Sequence, residues 1–195
     1  PRALTLDGQK TGSIRRTAQL RHAFPGIDVA PNRGNVGTRL RKLDDGAFDL
    51  LVLATAGLVR LQLADRIALR IPFDLCAPAP GQGIVVGEYR ADDPATGGLV
   101  AAIGDRETSA ALAAERALVT ALGADCQVPL GAVALPTGDD LVLRGVVASP
   151  DGAQLITRED RAPQRDAAAL GTNVAQLLIA DGAEMLLTSA RQMDG

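Results

Sequence analysis

The sequence predicts an α/β fold, a doubly wound and mostly parallel sheet, followed by a small α+β domain with a three-stranded antiparallel sheet. Three observations carry this. The run Phe48 to Ala54, FDLLVLA, is apolar throughout except at Asp49, as suits a parallel strand buried on both faces. Short strand-like and helix-like segments alternate through the first seventy residues. The last third instead strings together strand patterns separated by Gly138-Asp139-Asp140 and Pro150-Asp151-Gly152, which are turn residues.

The elements follow in order. The stretch Leu6-Asp7-Gly8-Gln9-Lys10 is more polar than an apolar strand leading into the serine turn would be. Ser13 is placed to cap a helix running through Arg15, Arg16, Gln19 and Leu20 towards Phe24, where Pro25-Gly26 stops it. Ile27 to Ala30 reads as a short strand, and Asn35 to Leu43 as a helix ended by Asp44-Asp45-Gly46. After the buried run comes a short helix, Ala56 to Leu63. Ala77-Pro78-Ala79-Pro80-Gly81-Gln82-Gly83 is a Pro/Gly-rich linker and marks a boundary. Ile84 to Tyr89 reads as a strand and Gly98 to Ile103 as a helix. Asp105 or Thr108 opens an Ala-rich helix that reaches Leu122 and ends at Gly123. Val128 to Ala134, Leu141 to Ser149 and Gln154 to Arg158 read as the three antiparallel strands. Asp166 to Asp181 is an amphipathic helix, and Glu184 to Ser189 a last strand. The units expected are residues 1–80, a linking segment 81–104 and residues 105–195.

Composition narrows the function. At 195 residues the chain can bury one good core or two small ones. Aromatics make up 2% with no Trp, too few to stack nucleic-acid bases. Cys76 and Cys126 are far apart and form no disulfide framework, and one histidine is too few for a zinc cluster. No apolar run is long enough to span a membrane and no leader pattern is present, so a cytoplasmic protein is expected. The chain opens on Pro1, not methionine, as a fragment or a processed chain would.

The net charge is -3, but it is unevenly spread. Residues 1–70 hold 12 Lys/Arg and 6 Asp/Glu, a balance of +6, against -9 for the remainder. That favours a local anion site over a nucleic-acid-coating surface. A solvated basic face is the alternative. Five arginines fall in three glycine-containing patches: Gly12-Ser13-Ile14-Arg15-Arg16, Arg33-Gly34-Asn35-Val36-Gly37-Thr38-Arg39, and Ala56-Gly57-Leu58-Val59-Arg60. Forked, permanently charged donors suit a ligand with several carboxylates. Helix-surface arginines paired with Asp44 or Asp45 are the competing explanation, and for Arg60 a charge placed at a helix C-terminus. Cys126, in Asp125-Cys126-Gln127-Val128-Pro129, follows a long helix and is placed as a covalent anchor; a small buried hydrophobe is its alternative. Cys76 reads as structural, His22 as a surface residue, and Glu107 and Glu115 as solvated helix carboxylates.

These patches, with Gly81-Gln82-Gly83 and Cys126-Gln127-Val128-Pro129, resemble hydroxymethylbilane synthase (porphobilinogen deaminase) in order and spacing, from about Thr11 to the C-terminus. The resemblance implies a first unit resembling periplasmic binding proteins and an α+β unit that anchors the cofactor. It implies a transferase of porphyrin and heme biosynthesis that joins four porphobilinogen units with loss of ammonia. It also implies a dipyrromethane cofactor held by a thioether to Cys126. Arg15, Arg16, Arg33, Arg39, Ser13 and Gly34 are then expected to bind cofactor, and Arg15, Arg39, Arg60, Thr11, Asn35 and Gln82 to bind substrate. No metal, nucleic acid or membrane partner is implied, and the intact enzyme is expected to be a monomer. The family has a further N-terminal domain carrying a catalytic aspartate. No residue here matches it, so no catalytic carboxylate is identified and the chain alone is expected to be inactive. Residues 81–104 match the segment that returns to that first domain. Asp125 stands where glycine is common. A non-catalytic module binding small anions is the alternative reading.

Overall fold

The computed structural model describes residues 4–7, 14–32, 34–125 and 128–193. Its first sheet has three parallel strands, β1 (Leu4–Asp7), β2 (Val29–Asn32) and β3 (Leu50–Val52), in the order β2-β1-β3. The central strand is β1, which overlaps the polar stretch 6–10 only at Leu6 and Asp7. Four residues are too few for a periodic signal, and pairing on both edges supplies what the pattern lacks. Leu4 faces both Val29 and Leu50 across the ladder, and Leu6 faces both Pro31 and Val52. The three strands therefore end side by side. With β1 between strands wound in opposite directions, the sheet has its topological switch point there.

Each strand leads into a helix: α1 (Ile14–Ala23), α2 (Val36–Asp44) and α3 (Thr55–Arg60). Local chemistry fixes them. Asn35 caps α2, its Oδ1 accepting from Thr38 N at 2.9 Å. Arg21 and His22 close α1, and Arg41 and Lys42 close α2, where cations complement the helix dipole. Among the described residues the hydrophobic cluster here holds the buried Leu20 and Val52, with Ile27, Val29, Ile71 and Leu75 against them.

The stretch expected as a strand at Ile84 to Tyr89 forms none. Val85 and Val86 stand 75% and 70% exposed, because a strand needs a neighbour and no described strand lies beside it. α4 (Pro94–Ala102) follows, started by Asp93 accepting from Thr96 N, and buries no residue.

The C-terminal half is an antiparallel meander, β4 (Leu130–Thr137), β5 (Asp140–Ala148) and β6 (Leu155–Pro163), covered by α5 (Arg106–Ala121), α6 (Ala167–Ala180) and α7 (Ala183–Met193). Asp105 caps α5 through Thr108 N at 2.7 Å. Its buried side chains fall at 111, 114, 115 and 118, the i, i+3, i+4, i+7 stripe of a core-facing helix. The last strand expected, Glu184 to Ser189, is helix α7. Ala183, Leu186, Leu187 and Ala190 are buried at that same spacing, and in a strand this set would split between two faces. α5 and α6 cross closely at Gly171, where a Cβ would lie 2.2 Å from the Ala114 carbonyl oxygen. Leu118, Leu141, Leu143, Val147, Val174 and Leu178 are all fully buried members of this larger core.

Candidate anion site

The strand ends place the arginine patches. Residues following β1, β2 and β3 open α1, α2 and α3 along one edge of the sheet, the edge where open α/β sheets take ligands. Arg15 and Arg16 lie in the first turn of α1 and Arg39 in the first turn of α2. Gly34 precedes α2 at φ +121°, and a Cβ there would meet Thr38 Cγ2 at 3.0 Å, so only glycine fits this turn. Asn35 is exposed, with its oxygen committed to the cap. Arg60 is the last residue of α3 and exposed, away from the strand ends. Thr11, Ser13, Arg33 and Cys126 lie outside the described residues.

Among the described residues, three charged or polar side chains are buried: Arg15 at 5% exposure, Gln19 at 2% and Glu115 at 5%. All three hold the loop 77–82. Arg15 Nη1 donates to the Ala77 carbonyl and Nη2 to Gln82 Oε1 at 3.2 Å. Gln19 Nε2 donates to that same carbonyl at 3.2 Å, and its Oε1 accepts from Ala77 N at 2.7 Å. Glu115 accepts from Gly81 N at 2.6 Å and Ala134 N at 2.8 Å. Pro78 adds a carbonyl that accepts from Ala132 N at 2.9 Å. The loop is thus pinned to α1 on one side and to α5 and β4 on the other. Gly131 permits the approach, since a Cβ there would sit 2.8 Å from Ala77 Cβ. Its outer part forms a wall of a cavity of about 480 Å³, lined also by Thr55, Arg70, Thr108 and Val133.

Glu115 is therefore no solvated carboxylate, as its place on an Ala-rich helix suggested. Its position in the buried stripe of α5 was the available signal. Glu107 is exposed as expected. His22 is exposed too, with Nδ1 3.0 Å from the Gly152 carbonyl. Asp44, the pairing partner suggested for these arginines, binds Arg66 at 2.5 Å.

Electrostatically the pair Arg15 and Arg16 stands out. Burial lowers the Arg15 guanidinium to about 10, with Cys76 acting in the opposite direction and Arg16 adding to the lowering. Burial lowers Arg16 as well. Burial raises the half-buried Cys76 thiol, while Arg15 and then Arg16 pull it down. Neither arginine makes an ion pair with a carboxylate among the described residues. Two adjacent cations, one buried and one half-buried, with no carboxylate partner among the described residues are expensive to desolvate. Burial lowers Arg39 likewise. No group of three His, Cys, Asp or Glu among the described residues is placed to hold a metal ion, and no described helix is long and apolar enough to cross a membrane.

The fold and this site define an α/β protein whose arginines gather at the switch point of a parallel sheet. The chain belongs to the porphobilinogen deaminase family. The family profile described as "Porphobilinogen deaminase, dipyromethane cofactor binding domain" matches residues 8–97, and that described as "Porphobilinogen deaminase, C-terminal domain" matches residues 110–180. The porphobilinogen deaminase of Chromobacterium violaceum is 49% identical over 179 residues, which are 92% of this chain and 58% of that protein. The chain thus spans somewhat over half the length of that relative.

Proposed function

We propose that this chain is the cofactor- and carboxylate-holding part of a hydroxymethylbilane synthase, a transferase that assembles four porphobilinogen units in tetrapyrrole biosynthesis. The observation that carries this is the adjacent pair of Arg15, buried, and Arg16, half-buried, which has no carboxylate partner among the described residues and lies within the match to the cofactor binding domain. The group fits these residues. A dipyrromethane bears several carboxylates, and each added unit brings an acetate and a propionate. Arg15, Arg16 and Arg39, with Arg33, would hold them; Gly34 would let the chain pass close, and Ser13, Thr11, Asn35, Gln82 and Arg60 would complete the surroundings.

When bound, dipyrromethane supplies the pyrrole carbon to which the first unit is joined. In each addition the C–N bond of an aminomethyl arm breaks, a C–C bond forms, and the proton lost from the pyrrole carbon leaves with ammonia. The part played by this chain is to bind and orient. Forked guanidinium donors fix carboxylates in two directions, and burial strengthens each contact by excluding water. Cys126 would hold the cofactor as a thioether, inside the residues matched to the C-terminal domain. We divide the chain into residues 1–80, 81–104 and 105–195; the separation of the two hydrophobic clusters supports this division. A cytoplasmic, monomeric enzyme with porphobilinogen as its small-molecule substrate completes the reading.

Intact mass tests it. The full-length protein should carry an adduct of two linked pyrroles, and Cys126→Ser should lack it. An adduct that persists in the serine variant rejects that anchor. Loss of carboxylate-ligand binding in Arg16→Leu tests the arginine pair separately.

A further inference from the structure

We infer that Glu115 is a positioning residue for Arg15, acting through the Gly81–Gln82 turn; this rests on the reading of Arg15 as a ligand-binding cation. A buried carboxylate normally neutralises a nearby cation. Glu115 instead spends both oxygens on main-chain donors from two different segments, Oε2 on Gly81 N and Oε1 on Ala134 N. Gly81 sits at φ +74° inside a tight turn, with Gln82 N donating to the Ala79 carbonyl and Ile84 N to the Gly81 carbonyl. Pinning Gly81 fixes the direction in which the next residue leaves. That residue, Gln82, turns its Oε1 back onto Arg15 Nη2 and accepts from Ala79 N as well.

The chain of contacts runs from α5 to the turn to α1, and it holds one fork of the guanidinium without neutralising it. The carboxylate and the cation are joined mechanically and stay separate electrically, so the positive charge remains for a ligand. Two N–H donors also explain why an acid stands here. A glutamine offers one accepting oxygen, and its NH₂ would face the second N–H and leave it unsatisfied. Glu115 lies outside the arginine patches and 34 residues from the turn it holds.

The test uses the intact protein labelled with ¹⁵N, in which Arg15 side-chain resonances are assigned by their loss in Arg15→Lys. The ligand probe is a pyrrole bearing acetate and propionate but no aminomethyl arm, so it cannot lose ammonia. In the unsubstituted protein the two Arg15 Nη groups should give separate, slowly averaging signals. In Glu115→Gln they should merge, and probe affinity should fall about tenfold, the effect of losing one charge-assisted contact. Gln82→Leu should do the same. The double variant should be no worse than the more severe single, because both act on one path. Unchanged Arg15 signals in Glu115→Gln, or losses that multiply in the double variant, overturn the inference. If Glu115→Gln does not fold, Glu115→Asp keeps the charge with a shorter reach and is judged by the same signals. Should the Arg15 signals merge in Glu115→Gln while Arg15→Leu binds the probe normally, the anion reading falls and the mechanical link stands.

Discussion

Arg15 and Gln19, one helical turn apart on α1, both donate to the carbonyl oxygen of Ala77. That oxygen lies 62 residues from Arg15 in the chain, and its two bonds join the first arginine patch to the loop between the halves. The shared acceptor separates the roles of two adjacent arginines. Arg15 is both anchored and charged. Arg16 forms no hydrogen bond with the described residues and is charged only.

Arg16→Leu should therefore weaken a pyrrole dicarboxylate by about 1.5–3 kcal/mol, the range for hydrogen bonds to charged groups, while leaving stability equal or higher. Arg15→Leu should lose the same binding and also about 1 kcal/mol of stability, since Gln82 loses its partner. Calorimetric titration and urea unfolding of each variant measure the two quantities. Normal affinity in Arg16→Leu would make that residue a plain surface cation.

Ligand affinity should be insensitive to Arg15 across neutral pH and should fall as pH rises through about 10, where its guanidinium loses its proton. The slope of this loss should approach about tenfold per pH unit, as linkage to one proton requires. The sign for stability is opposite. Folding lowers this group to about 10, so the cost of burying its charge is present below that pH and is relieved as pH rises above it towards the ordinary guanidinium range. Titrating the probe from pH 7 to 11 in the unsubstituted and Arg15→Lys proteins checks the assignment.

Cys76 should react slowly with iodoacetamide near neutral pH, because burial holds its thiol above the usual value. Arg16→Leu removes one of the charges that pull the thiol down and breaks no hydrogen bond, so alkylation should need still higher pH. Peptide mass mapping separates Cys76 from Cys126. A faster reaction in Arg16→Leu would show that access, not charge, controls this thiol.

Gly171→Ala should destabilise the protein by about 1–3 kcal/mol, the usual range for overpacking, because its methyl would enter the Ala114 carbonyl and crowd Ala117 Cβ at 2.7 Å. Gly98→Ala, in α4 with nothing within 4 Å, should gain about 0.4–1 kcal/mol from lost chain entropy. The two urea midpoints should move in opposite directions.

Much of this was legible in the chain. The turn residues at Gly138 and Gly152 take positive φ, as glycine permits, and Asn35 and Asp105 cap the helices their positions announced. What the sequence hid depends on partners distant along the chain. β1 is a strand because two neighbours flank it. Val85 and Val86 have the residues of a strand but no neighbour. The sequence order of the arginine patches was plain, yet not that Arg15 would meet Gln82, 67 residues away. Glu115 and α7 are readable in principle: both sit on helical stripes whose spacing outweighs residue type.

The core around α5, α6 and the antiparallel sheet draws on residues 111 to 190, so it closes only after the arginine-bearing half has left the ribosome. Those arginines emerge before the carboxylate that steadies the turn beneath them. Gly81 gains its partner only after Glu115 has been synthesised, and Ala134 must follow before that carboxylate is satisfied. The anion site is accordingly finished late in biosynthesis, and a nascent chain halted before residue 134 would display the positive charge without the geometry to use it.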